Sequence, residues 1–83
     1  MTTILIRYWA GAKAAAGIES ERIVASTVAA ALEELAKSRS RELDQVIQRS
    51  SLLLDGAVVH DRNIALVDGQ ILEILPPFAG GAQ

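Results

Sequence analysis

Apolar and polar residues alternate in two segments, one near each end of the chain. Thr3 to Trp9 is β-branched and aromatic, and Gln70 to Leu75 is rich in isoleucine and leucine. This composition and its two-residue period predict a first and a last strand. Successive side chains of a strand point to opposite faces. The alternation places Ile4, Ile6, Tyr8, Leu72 and Ile74 on one face, and Leu5, Arg7, Trp9, Ile71, Glu73 and Leu75 on the other.

Between these strands the apolar period changes to that of a helix. The segment from Thr27 to Ser38 is predicted as the main helix, with Ser26 or Thr27 as its N-cap. A weaker apolar stripe from Arg41 to Arg49 predicts a second, shorter helix. The apolar residues at helical spacing in the main helix are Val28, Ala31, Leu32 and Leu35.

The remaining segments are shorter and contain turn signals. The alanine-rich stretch from Ala10 to Gly17 is either a short helical turn or a loop, because glycines lie near both ends. Glu19 to Ala25 is a predicted second strand that pairs with the first as a hairpin. Ser51 to Leu54 and Ala57 to Val59 are predicted strands on either side of Asp55-Gly56, a dipeptide that favours a tight hairpin turn.

A second turn and a pair of prolines define the last strand. Asp68-Gly69 precedes it, and Pro76-Pro77 ends it, because proline cannot donate to a strand ladder. We therefore expect one α+β domain over residues 1–77, followed by an extended tail over 78–83. A mixed sheet with its main helix across one face accommodates this order of elements. If the first and last strands are central and parallel, the fold is a ubiquitin-like β-grasp.

Composition excludes several classes of function. The 83 residues suffice for one domain, and the net charge of −2 favours neither nucleic acid nor an anionic membrane. No apolar stretch approaches the roughly 20 residues of a membrane span. The N-terminus lacks the features of a signal peptide, so we expect a cytoplasmic location.

The usual catalytic side chains are also missing from the sequence. Without cysteine there is no thiolate nucleophile, disulfide or thiolate metal site. His60 is the single histidine, and one imidazole cannot hold a zinc ion unaided. Neither a nucleophile elbow nor a phosphate-binding glycine loop is present. We therefore predict a protein that is not an enzyme by itself and that binds neither metal nor cofactor.

Several motifs together resemble the MoaD/ThiS family of sulfur carriers. They are Ile6 to Ala10, Leu54-Asp55-Gly56, Asp68-Gly69 and, above all, Leu75 to Gly81, which joins an apolar strand, two prolines, a short linker and a diglycine. Within that family the length and second helix are most similar to the small subunit of molybdopterin synthase. Carriers that serve thiamine or cysteine synthesis are similar enough to stay open as alternatives.

The resemblance implies chemistry at the C-terminal diglycine, Gly80-Gly81. An E1-like partner would use ATP and Mg²⁺ to adenylate the Gly81 carboxylate, and a sulfur donor would convert it to a thiocarboxylate. The large subunit of molybdopterin synthase would then accept the tail. Both the carrier and a ubiquitin-like modifier need adenylation, so a modifier function stays open, as does a binding-only domain with an incidental tail.

Ala82-Gln83 departs from this pattern, because the reacting carboxylate must belong to Gly81. We expect a protease to remove the two residues, as happens to ubiquitin-like precursors. The alternatives are a remnant of an expression sequence and a paralogue that never reacts.

The outer face of the predicted sheet is the expected partner-binding surface. Its apolar residues are Leu5, Trp9, Ile71 and Leu75, and tryptophan is a frequent anchor at interfaces. The resemblance implies docking through this face. The alternative is that the second helix or a loop covers it. Phe78 either packs at the base of the tail or inserts into a partner.

Overall fold

The computed structural model describes residues 1–77, and Phe78 to Gln83 lie outside the described residues. The elements agree with the predicted segments, and the alanine-rich stretch is a helix. In chain order they are β1 (Thr3–Tyr8), α1 (Ala10–Ala16), β2 (Ser20–Val24), α2 (Val28–Ser38), α3 (Arg41–Gln48), β3 (Ser51–Leu54), β4 (Ala57–Val58) and β5 (Ile71–Leu75).

The strands form one mixed sheet in the order β2-β1-β5-β3-β4. β1 and β5 are parallel, and neither is an edge strand. The other pairs are antiparallel. β2 pairs with β1 as predicted, and α1 joins the two strands. This topology confirms the predicted α+β, ubiquitin-like β-grasp fold.

The helices pack on one face of the sheet and bury its apolar side chains. Thr27 caps α2 by accepting from the Ala30 amide at 3.0 Å, and Ser40 caps α3 through the Leu43 amide at 3.1 Å. Among the described residues, every buried side chain is apolar apart from the hydroxyl group of Tyr8. The core combines Ile4, Ile6, Tyr8, Leu72 and Ile74 from the central strands with Ala12, Val28, Ala31, Leu35, Leu43 and Ile47 from the helices.

Two turns fix the position of β5. Asp55 and Gly56 have φ values of 49° and 87°, which confirms the predicted hairpin turn between β3 and β4. The Asp55 carboxylate also accepts from the Ile71 amide at 2.9 Å. Asp68 accepts from the Thr3 amide at 2.8 Å, next to Gly69 with a φ of 89°. These contacts set the start of β5 and hence the point where Pro76 leaves the sheet.

Candidate functional site

The outer face is the side of the sheet away from the three helices. Leu5 pairs with Ile71 in the ladder between β1 and β5, and Arg7 pairs with Glu73. These four side chains are half-buried, and so is Leu75. The strand alternation predicted from sequence is therefore correct on both central strands.

Trp9 follows β1 and is the N-cap residue of α1. Its backbone amide donates to the Ile74 carbonyl at 3.2 Å, which continues the pairing with β5 by one residue. The indole Nε1 donates to the Glu73 carboxylate at 3.1 Å. The Arg7 guanidinium carbon lies 5.2 Å from the centre of the indole ring, within the range of a cation–π contact. Trp9 is still 39% exposed.

The structure brings Leu5, Trp9, Ile71 and Leu75 together on this outer face, as the sequence predicts. The alternative that the second helix covers them is wrong, because α3 buries Leu43 and Ile47 in the core on the opposite face. The other predicted site residues lie outside the described part of the chain: Phe78, Gly80 and Gly81, with Ala82 and Gln83.

The root of the tail lies at the end of β5, where Pro76 is half-buried and Pro77 is exposed. Both prolines line a small groove of about 180 Å³ together with Gly11 of α1 and with Val46 and Arg49 at the end of α3. The chain thus leaves the sheet beside α1 and α3, at the same end of β5 as Trp9. The predicted docking residues and the root of the tail are neighbours.

A polar network that the sequence did not reveal lies at the edge of the core. The Tyr8 hydroxyl donates to the Glu21 carboxylate. Arg39 donates to both oxygens of the same carboxylate, from Nε at 3.0 Å and from a terminal nitrogen at 2.7 Å. Because Tyr8 ends β1, Glu21 lies on β2 and Arg39 caps α2, the network joins three elements. Sequence reasoning could have found this network from Glu21, a charged residue on the inward face of β2.

The network shifts the pKa values of its members. Burial raises the pKa of the Tyr8 phenol well above its usual range, and the neighbouring Glu21 carboxylate raises it further. Partial burial by itself would raise the pKa of Glu21, but hydrogen bonds from Arg39 and Tyr8 and the Arg39 charge outweigh it. The pKa of Glu21 is therefore lowered, and its carboxylate is ionised at neutral pH.

The described residues offer no second site of obvious chemistry. Over residues 1–77, no three histidine or acidic side chains converge as metal ligands. His60 is exposed in the loop after β4. None of the helices in the described range is long and apolar enough to cross a membrane.

Comparisons with solved structures find the same fold over nearly the whole chain. The small archaeal modifier protein 1 of Methanosarcina acetivorans superposes with a TM-score of 0.85 at 21% identity, covering 98% of each chain. The structure of subunits 1 and 2 of molybdopterin-converting factor from Helicobacter pylori matches with a TM-score of 0.76 at 20% identity, covering 92% of this chain and 95% of the other.

A putative molybdopterin converting factor subunit 1 from Pyrococcus furiosus matches with a TM-score of 0.76 at 18% identity, covering 93% of this chain and 99% of the other. No curated protein matches the sequence. The profile of the ThiS family matches residues 6–81, which is most of the chain. The chain therefore belongs to the ThiS family.

Proposed function

We propose that this chain is a sulfur carrier that bears sulfur on the carboxylate of Gly81. The observation that carries the proposal is the extent of the family match, which runs through β5 and ends on the second glycine. In this proposal Gly80 and Gly81 react and the folded domain docks. Gly81 must be the C-terminal residue when it reacts, so Ala82 and Gln83 have to be removed first.

The proposed chemistry takes place on the main chain. A carboxylate oxygen of Gly81 attacks the α-phosphate of ATP in the Mg²⁺-dependent active site of an E1-like partner, and pyrophosphate leaves. Hydrosulfide from a sulfur donor then attacks the carbonyl carbon of the acyl-adenylate, AMP leaves, and Gly81 ends in a thiocarboxylate. Glycine suits both steps, because a residue without Cβ lets the backbone approach the nucleotide closely. No cysteine of the carrier is required, which agrees with a sequence that has none.

The proposed docking surface is the outer face, with Leu5, Trp9, Ile71 and Leu75, extended by Phe78. The described members share one face next to the tail root, so a partner bound there would lie close to the emerging tail. Apolar side chains that a domain leaves half-exposed on one face are typical of interaction surfaces. The proposed acceptor of sulfur is the large subunit of molybdopterin synthase, by analogy with the two-subunit Helicobacter pylori complex.

A ubiquitin-like modifier is the second candidate, because the modifier from Methanosarcina acetivorans gives a TM-score of 0.85. A modifier would form an isopeptide bond between Gly81 and a lysine of another protein. Carriers for thiamine or cysteine synthesis would use the same thiocarboxylate with a different acceptor. Mass spectrometry of the chain purified from its source organism separates these functions, since a carrier gains a sulfur-for-oxygen exchange and a modifier gives isopeptide-linked adducts.

The direct test uses the chain ending at Gly81, incubated with the E1-like enzyme of the same organism, ATP and Mg²⁺. We expect pyrophosphate release from this chain and none from a Gly81→Val variant, because a branched side chain blocks the approach to the nucleotide. Gly11→Ala is the matched control, since a Cβ at Gly11 meets no atom within 4 Å. Normal adenylation of Gly81→Val would refute the proposed mechanism.

A further inference from the structure

The orientation of the Trp9 indole is determined by two polar neighbours rather than by burial. The side chain lies at the end of β1, and 39% of the residue is exposed. A tryptophan side chain that is this exposed has several rotamers open to it. Contacts to Glu73 and Arg7 select one of them.

Glu73 holds the edge of the indole. Its carboxylate accepts from Nε1 at 3.1 Å. Arg7 is the ladder partner of Glu73, yet the ion pairs found among the described residues do not include these two. The Glu73 carboxylate therefore bonds to the indole and not to Arg7. A hydrogen bond to a carboxylate is stronger than one between neutral groups.

Arg7 covers one face of the ring, with its guanidinium carbon 5.2 Å from the ring centre. Glu73 fixes the edge and Arg7 the plane, so the two contacts together specify both the tilt and the direction of the indole. The side chains on the inner face of β1 and β5 need no such polar contacts, because close packing in the core fixes them.

We propose that Glu73 and Arg7 are positioning residues, which hold the Trp9 indole in a single orientation in the free protein as a pre-organised anchor for the E1-like enzyme. The proposal rests on the proposed function in one respect, namely that the outer face is the docking surface. A side chain that is ordered before binding loses less conformational freedom on association, so the positioning raises affinity.

The first measurement follows the indole directly. Trp9 is the single tryptophan, so a ¹⁵N-labelled chain gives one indole N–H resonance in its NMR spectrum. We expect Glu73→Val to move this resonance and to increase the mobility of the ring in ¹⁵N relaxation. Glu73→Gln, which keeps an acceptor oxygen, should retain most of the wild-type behaviour. Glu34→Gln on the exposed side of α2 is the control and should change neither.

The second measurement is affinity for the E1-like enzyme, with chains ending at Gly81. We expect Glu73→Val to weaken binding about fivefold, the size of effect typical of one lost hydrogen bond. In a Trp9→Phe background, which has no N–H to donate, the same substitution should have no further effect. This double-mutant cycle isolates the contact between the two side chains.

Two results would overturn the positioning: an indole resonance that does not respond to Glu73→Val, or an equal loss of affinity in both backgrounds. A wild-type chain that is neither bound nor adenylated, while its indole still responds to Glu73→Val, would instead refute the proposed function. It would leave the orientation of the indole established and its role in docking disproved. The two failures are therefore distinguishable.

Discussion

The two faces of β1 and β5 are made from alternate residues of the same segments, but different forces order them. Ile6 and Leu72 are completely buried against the helices. Leu5 and Ile71, one residue away along each strand, are half-buried on the outer face. The inner face needs only apolar side chains of suitable volume. The outer face instead carries specific polar contacts around Trp9, and recognition is the role that we propose for it.

The sharpest test of this contrast compares two neighbouring residues of β5. Leu72→Ala should lower the free energy of unfolding by about 2–5 kcal/mol, because it removes buried methyl groups and leaves a cavity. Ile71→Ala on the outer face should cost about 1 kcal/mol, since less apolar area is removed from water in folding. Urea denaturation of both variants measures the difference. Equal losses would mean that the outer face is packed like a core.

The network at the edge of the inner face should show an intermediate effect. Glu21→Gln should reduce stability at neutral pH by about 1–2 kcal/mol, because it weakens charge-assisted hydrogen bonds to Arg39 and Tyr8. The folded-state pKa of Glu21 is lowered, so the unfolded chain binds more protons in the acid range. The stabilisation is therefore present above the ordinary glutamate pKa and is lost as pH falls through the folded-state value.

Urea denaturation at neutral and acid pH checks this sign. The wild type and Glu21→Gln should differ most at neutral pH and converge in acid. Glu34→Gln, on the exposed side of α2 and away from the first turn of the helix, supplies the control for removing one negative charge. If the difference in unfolding free energy between wild type and Glu21→Gln increased in acid, the assigned direction of the Glu21 pKa shift would be wrong.

Trp9→Ala should have the smallest effect on stability and its main effect on binding. We expect a change in unfolding free energy of at most about 1 kcal/mol, because the side chain is partly exposed and its polar contacts are at the surface. Affinity for the large subunit of molybdopterin synthase should fall about tenfold, as is typical of an aromatic interface anchor. Isothermal titration measures it. Unchanged affinity would show that the outer face is not the docking surface.

Most of the fold could be predicted from sequence, because its signals are local. The two-residue period marked β1 and β5, the helical period marked α2, and Asp55-Gly56 marked the hairpin of β3 and β4. The alanine-rich stretch stayed ambiguous between helix and loop, since alanine supplies no pattern of burial. Its helix is fixed by contacts with β5 and α3, which are distant in sequence. Gly17, with a φ of 77°, ends it.

The candidate site was predictable in part. Alternation along β1 and β5 was enough to place Leu5, Ile71 and Leu75 on one face, and the diglycine is visible without any structure. The contacts of Trp9 were not predictable, because Glu73 lies 64 positions away in sequence and reaches the indole only through the parallel pairing of β1 and β5. The same holds for Arg39 and Glu21, which meet only after α2 packs on the sheet.

The sequence by itself determined the order of the elements other than α1, the two faces of the central strands and the family, because hydrophobic period, turn dipeptides and the terminal motif are all local properties. Only the tertiary structure decided that α3 lies on the inner face and that a glutamate and an arginine orient Trp9. It also decided that Pro76 emerges beside α1 and α3. These relations depend on strand register and helix packing, which bring residues together over distances in sequence where no local pattern applies.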